Sequence, residues 1–164
     1  MEKLGLYDKN GTYIDEFVLR DEKHTLKDGK FYKVIILFII NSNDKFLIQK
    51  SSNIKGNIFE TLGGHVLNGE KTSEAVIREA YEELHLNIMP QELHFFKRYF
   101  YKKSIQDVYY IKKTIDIKRM VLQFNEVISI ELCRKEKIIK LIEKNQFRKK
   151  DIIPFMDLIE FLNV

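Results

Sequence analysis

The chain has a single cysteine, Cys133, among 164 residues. A lone thiol excludes an internal disulfide. Its place in an apolar run gives it the role of a small buried hydrophobe. Long hydrophobic runs are also missing. The longest, Val34 to Ile40, has seven residues, far short of the roughly 20 that span a bilayer and suited to a buried strand. The opening MEKLGLYDKNG mixes charges early and has no apolar signal core, so a cytoplasmic protein is expected. Internal repeats, low-complexity tracts and linkers are absent. No strong charge of one sign is present. The net charge of +4 permits attraction to phosphorylated ligands without demanding nucleic acid.

What is there describes a soluble globular chain, 45% hydrophobic and 32% charged. One domain over residues 1–164 is expected, with an N-terminal hairpin at about 1–20 as its extension. That hairpin is read from Leu4–Tyr7 and Thr12–Leu19 around an Asn10-Gly11 turn. Phe31–Asn41 and Lys45–Lys50 read as paired strands, and Ile58–Leu62 as a short strand. Glu92–Lys102 and Gln106–Asp116 are two more, rich in Phe, Tyr and Ile. Val121–Leu132 reads as one or two strands. Lys135–Asn145 and Pro154–Leu162 have helical spacing. Mixed strands with a few helices predict an α/β fold, a sheet sandwiched between helices.

The most informative stretch is Gly64 to Leu86, GHVLNGEKTSEAVIREAYEELHL. A short strand runs into Gly63-Gly64, where the backbone can approach a ligand closely. A helix then begins near Thr72, with Thr72 or Ser73 expected as its cap. Glu79, Glu82 and Glu83 stand at i, i+3 and i+4, within a sector roughly 100° wide. Val76, Ile77, Ala80 and Leu84 fall on the roughly opposite, core-facing side. Like charges at this spacing destabilise an isolated helix. A hard divalent cation such as Mg²⁺ reverses that penalty, because it requires oxygen ligands. An exposed acidic helix alone is usually a solvated face. That reading leaves the strand, glycine turn and loop unexplained.

The stretch resembles the Nudix box, the signature of the Nudix hydrolases. Gly64, Glu70, Arg78, Glu79, Ala80, Glu82, Glu83 and Leu86 fall in register with it. One position departs. The second glycine of the pattern, a helix terminator, is His85 here; its partial positive character suits a helix C-terminus. The resemblance implies a Nudix α/β/α sandwich and a Mg²⁺-dependent hydrolase, with Mn²⁺ as a substitute. It implies that Glu79, Glu82 and Glu83, with the backbone carbonyl of Gly63, are metal ligands. Glu70 would support them, and Arg78 would orient a box glutamate. Gly64 and His65 are candidates to border the substrate, although His65 reads equally as a satisfied loop histidine. The base that deprotonates the attacking water is Glu79 or Glu126, the latter from the downstream run Phe124-Asn125-Glu126-Val127.

The hairpin, the His24 region, Leu47–Ser52 and Gly63-Gly64-His65-Val66 also look like the Nudix branch near isopentenyl-diphosphate isomerases. Those enzymes rely on a cysteine in the strand before the box, and Ile58–Leu62 has none. Hydrolysis of a nucleoside diphosphate derivative or similar organic diphosphate is therefore expected. A non-catalytic ligand sensor or an isopentenyl-diphosphate isomerase-like enzyme is the alternative reading. Two subgroup features that would name the substrate are absent, and Tyr101, which resembles a third, that of dinucleoside-polyphosphate hydrolases, reads as a core or cross-strand residue among Phe100, Tyr109 and Tyr110. No proline lies about fifteen residues past Leu86, and the Ser-Gln-Pro-Trp stretch is missing from a chain without tryptophan. Arg134–Lys150 holds eight basic residues against two acids. Its helical spacing makes the lysines a solvated outer face, so neither nucleic acid nor membrane is an expected partner. Family members are often dimers, so a homodimer is compatible with the resemblance.

Overall fold

The computed structural model describes residues 1–52 and 56–164. Its centre is β3 (Phe31–Ile40), whose last seven residues are all buried. Side chains alternate between the two faces of a strand. Ile35, Leu37 and Ile39 therefore enter one core, and Ile36, Phe38 and Ile40 another. An apolar run without polar alternation is what a strand covered on both sides needs.

The β1 strand (Lys3–Tyr7) and β2 (Tyr13–Leu19) form the expected hairpin, followed by a 3-10 turn over Arg20–Thr25. Then come β3, β4 (Phe46–Ser51), β5 (Phe59–Glu60) and β6 (Leu62–His65). Helix α1 spans Thr72–Leu84, β7 His94–Tyr101, β8 Ser104–Lys112 and β9 Val127–Cys133. Helices α2 (Lys135–Glu143) and α3 (Lys149–Leu162) close the chain. Among the described residues the strands make one nine-stranded mixed sheet. Along one edge β3 pairs in parallel with β8, from Tyr32↔Ser104 to Ile40↔Lys112. Its other edge takes β1, β6 and β4 in succession, all antiparallel. Helix α1 covers one face through Val76, Ala80 and Leu84. Helices α2 and α3 cover the other through Ile138, Leu141, Phe155 and Leu158. This is the α/β/α sandwich. No described helix is long and apolar enough to cross a membrane.

Three local expectations are corrected. The strand expected to reach Asp116 stops at Lys112, while the region expected to hold one or two strands over Val121–Leu132 holds one, β9 (Val127–Cys133). Between them, Ile115, Ile117, Met120 and Leu122 pack on the first core without pairing. Their apolar character is met by burial rather than by a ladder. Helix α3 starts at Lys149, five residues before Pro154, which stands inside it. Arg148 and Asp151 pair across its first turn and extend it upstream of the proline. At the start of α1, no hydroxyl caps the helix. The N-cap is Lys71, whose N–H donates to the Glu74 carboxylate at 2.9 Å. Thr72 instead exchanges a hydrogen bond with the Tyr109 hydroxyl at 2.7 Å.

Candidate active site

Strand β6 carries Gly63, Gly64 and His65 against the centre of β3, paired with Ile36, Ile35 and Val34. The chain then turns and enters α1. Arg78 ties these pieces together. Its guanidinium donates to Glu70 Oε1 at 2.8 Å and Oε2 at 3.0 Å, and to the His65 carbonyl at 2.9 Å. On its own helix it donates to Glu79 Oε1 at 2.8 Å and Glu82 Oε2 at 3.1 Å. Glu70 also accepts the Leu67 N–H at 2.9 Å, which fixes the loop. Such a charge-assisted fork specifies orientation as well as adding energy.

A cavity of about 250 Å³ opens beside this clamp. Of the sequence-predicted residues, Gly63, Gly64, His65, Glu79, Glu82, Glu83 and Glu126 line it; Arg78 and Glu70 stand behind the lining. Glu126 comes from the segment before β9, held near Glu83 because the Gln123 N–H donates to the Glu83 carbonyl at 3.0 Å. The three box glutamates have unlike surroundings. Glu83 is buried, Glu82 is half exposed and Glu79 lies between. Burial pushes the Glu79 carboxyl up, and Arg78 partly offsets this. His85 ends the helix in the left-handed conformation at φ 51°, the place of the pattern's second glycine. The Leu86 N–H returns to the Ala80 carbonyl at 3.1 Å and closes the turn.

Several lining residues escaped the sequence reading: Glu2, Arg20, Glu60, Gln123, Arg148 and Lys150. Arg20 follows β2, and the hairpin brings it to the cavity, paired with Glu2 at 2.7 Å. Arg148 and Lys150 correct the expectation that the basic run is wholly a solvated face. Two of its members turn inward because 146–148 runs along β5, with the Phe59 N–H donating to the Gln146 carbonyl and the Arg148 N–H to Phe59. A break in helical spacing at Asn145-Gln146-Phe147 was the available signal. The Lys23 ammonium donates to His65 Nε2 at 2.8 Å, and the His65 ring stacks on Tyr32 at 5.7 Å.

Six carboxylates line the cavity against three Lys or Arg side chains. Carboxylate and carbonyl oxygens are the donors that hard divalent cations take, so the chemistry of the lining fits such an ion. Among the described residues, no three acidic, imidazole or thiol groups already form a cage. Glu79 and Glu82 are joined through Arg78 Nη1 instead.

Comparison with known proteins agrees with this architecture. A family model for the NUDIX domain matches residues 30–156. An uncharacterized Nudix hydrolase of Listeria innocua is 28% identical over 151 residues, covering 90% of this chain and 88% of its own. Another from Listeria monocytogenes is 27% identical, covering 100% of this chain and 95% of its own. A crystal structure of a Deinococcus radiodurans protein superposes with a TM-score of 0.77 at 22% identity, over 94% of this chain and 96% of that one. With the box on β6 and α1 and the model spanning most of the sequence, the chain belongs to the Nudix hydrolase family.

Proposed function

We propose that this Nudix pyrophosphohydrolase is Mg²⁺-dependent and cleaves a nucleoside diphosphate derivative or similar organic diphosphate. The observation that carries the reading is one cavity gathering Glu79, Glu82, Glu83, Glu126 and the Gly63-Gly64 turn. Glu79, Glu82, Glu83 and the Gly63 carbonyl would hold the cation, Mg²⁺ or Mn²⁺. A cation bound there polarises the phosphoryl group and lowers the pKa of a coordinated water. Arg78 orients Glu79 and Glu82, and Glu70 in turn orients Arg78. Glu79 or Glu126 takes the proton of the attacking water. Water adds to phosphorus as the bond to the bridging oxygen breaks. Gly64 and His65 border the diphosphate. The hairpin supplies Glu2 and Arg20 to the lining, which supports one working domain over the whole chain.

A cysteine-based isomerase reaction finds no support. Cys133 belongs to the core under α2 and α3 and does not line the cavity. The test is phosphate release from a panel of nucleoside diphosphate derivatives with Mg²⁺ or Mn²⁺, through a coupled phosphatase, beside Glu83→Gln. Turnover lost in the variant is expected. Metal-dependent ligand binding without turnover on any compound would instead establish a sensor.

A further inference from the structure

Glu83 sits at the end of a chain of hydrogen bonds that leaves the box altogether. Gln49, buried on β4, donates from Nε2 to Glu83 Oε2 at 2.8 Å and to Glu60 Oε1 at 3.3 Å. Two carboxylates at one amide end require that end to be the NH₂ group. Glu60 Oε2 accepts from Arg148 Nη1 at 2.8 Å. Arg148 also donates to the Thr61 carbonyl at 2.9 Å, and its Nε to Asp151 Oδ2 at 2.9 Å. Asp151, fully buried, accepts the Thr61 N–H at 3.2 Å. Both backbone polar groups of Thr61, two residues before Gly63, are therefore held by the start of α3. Arg148 also packs directly against Gly63. A methyl group there would stand 3.0 Å from Nη2 and 2.9 Å from the Ile35 carbonyl.

We infer that Gln49 and Arg148 are positioning residues for the metal ligands, setting the Glu83 carboxylate through Glu60 and the Gly63 carbonyl through Thr61. The inference rests on the proposed metal site. Two buried acids side by side would repel one another. Arg148 donates to Glu60 as well as Asp151, and Gln49 bridges Glu60 and Glu83 as a neutral donor to both. Partners of this kind, which hold a ligand without touching the metal, are typically worth roughly 10- to 100-fold in metal affinity.

Mn²⁺ binding to the full chain without substrate, followed by the EPR signal of the free ion, tests this. Gln49→Met keeps the volume and removes both donors. Arg148→Lys keeps a cation beside Glu60 but lacks the fork that reaches Glu60, Thr61 and Asp151 together. The expected result is a Kd about 10-fold or more weaker in Gln49→Met and several-fold weaker in Arg148→Lys. Leu158→Val, in the core under α3, is expected to bind as the wild type does. If Gln49→Met does not fold, Arg148→Lys decides. Wild-type affinity in the folded variants would overturn the inference, as would equal weakening in Leu158→Val, which would indicate general loosening. Absence of Mn²⁺ binding by the wild type would instead overturn the metal-site reading beneath it.

Discussion

Gly64 lies directly beneath Glu79: a methyl group on Gly64 would stand 2.1 Å from the Glu79 carboxyl carbon and 2.5 Å from its Cγ. Any side chain at 64 must displace that glutamate. A flexible side chain can swing away, so the fold survives while the carboxylate leaves its place. Gly64→Ala is expected to lower kcat/KM about 100-fold, the cost of an ångström-scale misplacement, and to shift Tm by only a few degrees. Retained activity would show that Glu79 is not held there for catalysis.

Arg78 serves four acceptor groups at once, and lysine cannot. Arg78→Lys preserves the charge but not the planar fork. The loop bearing Glu70 and the His65 carbonyl would lose its tie to Glu79 and Glu82. Steady-state kinetics at varied Mg²⁺ should show about 10- to 100-fold lower activity and a higher Mg²⁺ requirement. An unchanged Mg²⁺ dependence would remove Arg78 from the positioning role.

His85 takes a left-handed backbone at φ 51°, a conformation that costs a non-glycine residue about 1 kcal/mol. Its ring meets Tyr81 at 5.0 Å and recovers part of that cost. His85→Gly is expected to raise stability by up to roughly 1 kcal/mol in chemical denaturation, with activity unchanged. A loss of stability would mean that the ring contact outweighs the backbone strain.

Burial pushes the Lys150 ammonium down to about 8, with Arg148 adding to the effect. In the unfolded chain it keeps a pKa near 10.4. Between these values the unfolded state holds a proton that the folded state has released, so this residue makes stability rise with pH across that window. Lys150→Met removes the cost of the buried charge. In urea denaturation at pH 7, 9 and 10, the variant should be more stable than the wild type at pH 7, and the advantage should shrink as pH climbs. A constant difference would mean that Lys150 stays protonated throughout.

The half of the site carried by α1 could be read from sequence because it is local. Periodicity puts Glu79, Glu82 and Glu83 on one helix face, and the resemblance to the Nudix box adds Gly63 and Gly64 from the strand before it. Glu126 also came within reach, as a candidate on a named segment. The other half depends on contacts that spacing cannot express. Gln49 meets Glu83 only because β4 pairs with β5 and α1 packs over the sheet. Arg148 reaches Glu60 only because residues 146–148 run along β5. The break in helical spacing at Asn145-Gln146-Phe147 marks where the run changes course, but not that Arg148 turns toward Glu60. Pro154 is a sound local signal for a helix start, and the Arg148–Asp151 pair overrides it. The Lys71–Glu74 cap was missed because two hydroxyls stand beside it, and one of them, Thr72, is taken by Tyr109.

The parallel pairing of β3 with β8 joins residues as far apart as Tyr32 and Ser104. Tyr109 and Ile111 of β8 share a core with Val76 and Ala80 of α1. During synthesis the box helix is therefore complete well before the strand that helps bury it exists. Pairing across so many residues must meet its loop-closure cost before any contact rewards it. A nascent chain halted just after the box would carry every acidic residue of the signature and the β3 and β6 strands beneath its helix, yet lack the β8 side chains that complete that core.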